Sequence, residues 1–139
     1  MKTKSMALLI GAVGALTAVP ASAEDLQVQF GAVTYQFYCV SCHGTSGKGD
    51  GPIAGSLPRP PADLTRLADK NGGDFPVERV SAAIDGRVEV VGHTGVAMPP
   101  WGQLFAHELE EFPEGTVVET MIARRIARII AYLMTIQER

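Results

Sequence analysis

Leu26, Phe30, Val33 and Phe37 recur at intervals of three and four residues, a spacing that predicts an α-helix over 26–38 with all four on one face. A longer run, Val118, Met121, Ile122, Ile126, Ile129, Ile130, Leu133 and Ile136, predicts a second helix that starts at Thr116. Thr116 followed three positions later by Glu119 predicts a capping box at its start. Arg124, Arg125 and Arg128 are expected to form the solvated face of this helix. Between the two helices the periodicity breaks down: eleven of the 15 glycines and seven of the nine prolines lie from Gly44 to Gly102. Two short helices are expected inside this middle. One covers Ala62 to Asp69 and stops near Asn71-Gly72-Gly73. The other starts at Pro76, ends at Asp85-Gly86 and buries Val77, Val80 and Ile84. Arg87 to Val91 alternates weakly enough to suggest only a short strand.

The N-terminus follows a different rule. Lys2 and Lys4 precede an apolar run from Met6 to Val19, which ends in Ala21-Ser22-Ala23, the pattern of a secretory signal peptide. The run is too short to span a bilayer comfortably, and no paired arginines precede it, so export of an unfolded chain is expected. Cleavage after Ala23 divides the chain into a signal peptide, 1–23, and one domain, 24–139, of 116 residues. The signal removes two lysines and no acid, which takes the net charge from −3 to −5. A surface of that sign gives no affinity for nucleic acid, and no later apolar run is long enough for membrane insertion. The expected location is the periplasm.

The chemistry lies in Cys39-Val40-Ser41-Cys42-His43, which contains the only two cysteines. C-x-x-C-H is the attachment signature of c-type haem. Two thiols three positions apart can each bond one vinyl group of a single porphyrin, and the next residue then offers an imidazole to the iron. Other readings fit less well. A thioredoxin-like pair would follow a β-strand, whereas the preceding segment has helical spacing. A structural zinc site needs four ligands, and His93 and His107 supply no second pair at finger-like spacing. A disulfide across two residues would close too short a loop to stabilise much. One covalent haem c through Cys39 and Cys42 also accounts for the irregular middle, whose loops would otherwise have little to pack on.

The mature sequence resembles class I c-type cytochromes. Gly31 and Tyr35 before Cys39, with Ile129 and Tyr132 on the last helix, match the residues at which the family's terminal helices cross. His43-Gly44 through Gly49-Asp50-Gly51-Pro52, Pro61-Ala62-Asp63-Leu64 and Ala97-Met98-Pro99-Pro100-Trp101-Gly102 also look like small bacterial monohaem members. The likeness fails between Gly102 and Thr116, where His107 to Glu114 is acidic. The resemblance implies an all-α cytochrome c fold, with crossing N- and C-terminal helices and with loops and short helices wrapping one haem.

His43 and Met98 are the expected axial metal ligands. Met1 and Met6 leave with the signal, and Met121 and Met134 lie on the terminal helix, where methionine usually fills the core. Met98 sits in a loop before two prolines, and the family places its methionine ligand at such a site. His93 competes for that role, with His107 a distant third. By resemblance the carbonyl of Pro52 accepts from the ligating histidine, while Arg59, Arg87 and Trp101 are candidates for the haem propionates. An iron with both axial positions filled has no site for substrate, so the expected function is electron transfer rather than enzymatic catalysis. Redox partners, a dehydrogenase or an oxidase, would dock at the haem edge near Val40, Ile53, Pro99 and Pro100. The alternative is a dedicated subunit of one such complex. A di-haem peroxidase would need a second haem motif, which this chain lacks.

Overall fold

In the computed structural model, the described residues are 21–87, 98–110 and 115–138. Among these residues five α-helices succeed one another: α1 (Ala23–Tyr38), α2 (Val40–His43), α3 (Val77–Asp85), α4 (Trp101–His107) and α5 (Thr116–Thr135). Three 3-10 turns, Ala54–Ser56, Leu64–Arg66 and Asp69–Asn71, punctuate the stretch between α2 and α3. The described residues contain no strand. Of the suggested strand, Arg87 is a bend, and 88–91 lie outside the described residues.

α1 begins three residues before the predicted start because Ser22 and Asp25 cap it reciprocally. The Ser22 hydroxyl accepts from the Asp25 amide at 3.1 Å, and the Ser22 amide donates to the Asp25 carboxylate at 3.0 Å. The helix packs across α5 through Gly31 and Tyr35, its two buried residues. A Cβ at Gly31 would lie 1.9 Å from the Arg128 carbonyl oxygen and 3.0 Å from the Tyr132 Cβ, so only glycine permits this approach. Tyr35 is 0% exposed, lies 5.1 Å ring to ring from Tyr132, and donates to the Gly44 carbonyl at 2.7 Å. Ile129 is buried at the same crossing.

The apolar face read from the α1 spacing does exist, but it points outward. Leu26, Phe30, Val33 and Phe37 are 42% to 81% exposed. Periodicity identifies a face; the backbone contact at Gly31 decides which face docks. Arg128 covers part of this outer face, with its guanidinium 5.0 Å from the Phe30 ring centroid and its Nε donating to Gln27 at 2.8 Å.

α5 supplies most of the core through Ile122, Ile126, Ile129, Ile130 and Leu133, joined by Val80 and Ile84 of α3 and Phe105 of α4. Met121 and Met134 are exposed rather than core. The capping box expected at Thr116 does not form: Gly115 is the N-cap, and Glu119 reaches out to Arg87 instead. α3 has the boundaries expected of it, with Pro76 before it and Gly86 as a left-handed C-cap, although Val77 is exposed on its first turn. The helix expected over 62–69 resolves into two 3-10 turns; the first has Asp63 as N-cap, its side chain accepting from the Thr65 amide. α4 went unpredicted. Trp101, Phe105 and Leu109, four apart after a proline pair, were the available signal.

Candidate haem site

The elements enclose an apolar cavity of about 320 Å³ between α1, α2, the 57–67 segment, α3, α5 and the start of α4, within the size range of cofactor pockets. Cys39 and Cys42 both line it as free thiols. They sit there because α1 ends at Tyr38, and the chain turns directly into the single turn of α2, where the His43 amide bonds back to the Cys39 carbonyl at 2.9 Å. Burial, reinforced by Cys42, pushes the Cys39 thiol up to about 12. His43 is buried, which lowers its pKa and favours the neutral imidazole that ligates metals. Its Nδ1 lies 3.0 Å from the Ala62 carbonyl oxygen. A carbonyl only accepts, so Nδ1 holds the proton and the Nε2 lone pair is left for a metal.

That partner corrects the expectation for Pro52, which is exposed and does not line the cavity. The Pro60-Pro61 stretch carries the Ala62 carbonyl along the cavity wall to the imidazole. Met98 is partly buried and lines the same cavity as His43. His93 lies outside the described residues. His107 is on the surface, does not line the cavity and is hydrogen-bonded to Glu110.

Arg59 and Trp101 line the cavity as well. Arg87 does not. Its guanidinium bonds Asp85 at 2.7 Å and Glu119 at 2.8 Å, interactions that raise its pKa. Arg79 of α3 lines the cavity in its stead and was overlooked in the sequence. It sits one residue before the buried Val80, at the edge of the apolar stripe, and that position was the available signal.

The donor set fits haem c. Two thiols three positions apart, an imidazole whose Nε2 is left free, a thioether, apolar walls and two guanidiniums line one cavity. Among the described residues, no group of three or more His, Cys, Asp or Glu side chains gathers together.

Neither the curated proteins nor the solved structures contain a match to this chain. A family model described as cytochrome C oxidase, cbb3-type, subunit III matches residues 27–112, from within α1 to beyond α4, with the whole cysteine motif. With its helical architecture, its helix crossing and its C-x-x-C-H cavity, the chain belongs to this family of c-type cytochromes.

Proposed function

We propose that the mature chain is an exported, periplasmic electron-transfer protein carrying one haem c, held by thioether bonds to Cys39 and Cys42 and ligated by His43 and Met98. The observation that carries this reading is the convergence of all four side chains on one apolar cavity. Bound there, the group supplies a one-electron couple at its edge. The protein's part is to bind, orient and shield. The Ala62 carbonyl fixes the tautomer and tilt of His43. Leu64, Leu67, Val80, Ile84, Ile129 and Leu133 exclude water from the cavity. Arg59, Arg79 and Trp101 are the donors available to the two carboxylates of the porphyrin. Were His43 and Met98 both to hold the iron, no position would be left for substrate, which favours a carrier over an enzyme.

Export rests on the signal-like residues 1–23; no helix among the described residues is long and apolar enough to cross a membrane. Cleavage after Ala23 takes the Ser22 cap with it and leaves Glu24 and Asp25 in the first turn of α1, where the helix dipole favours negative charge. The family description also supports a second reading, a fixed subunit of an oxidase complex, and copurification of constant stoichiometric partners would select it.

The test is mass spectrometry of the denatured protein from cells competent in cytochrome maturation. The expected mass is the chain from Glu24 plus one haem. A bare polypeptide mass would overturn the proposal.

A further inference from the structure

Arg125, expected on the solvated face of α5, is drawn inward. Its side chain is 27% exposed. One nitrogen, Nη1, donates to Glu108 Oε2 at 2.6 Å, and the other, Nη2, donates to Tyr38 Oη at 2.8 Å. Tyr38 Oη in turn donates to Glu108 Oε1 at 2.9 Å, which closes a three-membered ring of charge-assisted bonds. The guanidinium lies 4.0 Å from the Phe105 ring centroid and 4.9 Å from that of Tyr38. Both Tyr38 and Trp101, which meet edge to face at 5.2 Å, line the cavity. Phe105 is 0% exposed and packs against each of them. One cation therefore ties Tyr38 at the end of α1, Phe105 of α4 and Glu108 just after it to α5.

α4 is not free to move without consequence. It follows Met98-Pro99-Pro100, where two successive proline rings fix φ and so restrict the backbone between Met98 and Trp101. On its far side Pro100 abuts Gly86, where a Cβ would lie 2.6 Å from the Pro100 Cα. Trp101 and Met98 are thus joined by a short, restricted link.

We propose that Arg125 is a positioning residue for the methionine side of the haem cavity: by locking Tyr38, Phe105 and Glu108 together it holds α4, and through the rigid proline pair it holds Met98 in place. This rests on the reading of Met98 as the second axial ligand. Arg125 itself lies on α5, beyond the stretch matched by the family model.

The test compares holoprotein variants Arg125→Met, Arg125→Lys and Tyr38→Phe with Ile126→Val, a core change on the same helix outside the hydrogen-bonded ring of Arg125, Tyr38 and Glu108. Added imidazole competes with methionine for the iron, and its affinity reports how readily Met98 leaves. Arg125→Met is expected to bind imidazole about tenfold more tightly than wild type, the effect of losing one charge-assisted anchor. Lysine, which lacks the planar fork, should restore only part of the difference. Tyr38→Phe should shift the affinity in the same direction by less. Ile126→Val should lower the unfolding midpoint with imidazole affinity unchanged. Equal affinity in Arg125→Met and wild type would overturn the inference, as would an unchanged Tyr38→Phe if Arg125→Met failed to fold. A wild type without the weak far-red absorption of a methionine–iron bond would instead overturn the Met98 assignment, and this inference with it.

Discussion

The crossing of α1 and α5 makes a quantitative claim at Gly31. In an exposed helix, glycine to alanine gains about 1 kcal/mol from propensity alone. Here the new Cβ would sit 1.9 Å from the Arg128 carbonyl oxygen, a backbone atom that no rotamer change can move aside. Relief requires the helices to separate by roughly an ångström, which loosens the Tyr35–Tyr132 contact and the packing around Ile129. Overpacking of this kind costs typically 1–3 kcal/mol, and a backbone clash belongs at the upper end. We therefore expect Gly31→Ala to destabilise the holoprotein by about 2 kcal/mol after the propensity gain is set against it. The assay is guanidinium unfolding followed by far-ultraviolet circular dichroism, with Phe37→Gln as the control. Phe37 is 81% exposed, and its replacement should stay within about 0.5 kcal/mol of wild type. If Gly31→Ala equalled or exceeded wild-type stability, the close approach argued here would be wrong.

Two other outcomes follow from the site and its surroundings. Met98→Ala should abolish the far-red methionine band of the oxidised protein and lower its potential, while Met121→Ala, on the outer surface of α5, should change neither; loss of the band in His93→Ala instead would reassign the ligand. Glu108 bears on acid stability: burial raises its pKa, but hydrogen bonds from Arg125 and Tyr38 outweigh that and hold it below the ordinary 4.5. A depressed carboxylate contributes stability that is complete above about pH 4.5 and is lost as pH falls through the lower folded value, so Glu108→Gln should flatten the acid limb of a pH–stability profile. An acid limb identical to that of wild type would refute the assignment.

What the sequence made legible was local or carried by motif. Cys39, Cys42 and His43 are close enough in sequence that one helical turn places them together, and Gly31, Tyr35, Ile129 and Tyr132 were legible through the resemblance to class I cytochromes, whose terminal helices cross at such residues. The α3 boundaries followed from a proline and a glycine at its ends. What failed depended on the third dimension. No periodicity says whether the Leu26–Phe37 stripe faces the core or the solvent. The partner of His43 is Ala62 rather than Pro52 because the loop folds back over ten residues later than expected. Arg87, a propionate candidate in the sequence, and Arg125, expected on the solvated face of α5, find their partners Glu119 and Glu108 only in the folded chain. Arg79 became visible only when α3 was seen to wall the cavity.

The central claim is a single haem ligated by protein on both sides and built to pass one electron. An optical redox titration of the purified holoprotein tests it most directly. The account predicts one Nernstian transition with a slope of one electron, a methionine band in the oxidised form, and no carbon monoxide adduct in the reduced form at neutral pH. Two resolved transitions, or ready binding of carbon monoxide by the reduced protein, would contradict it.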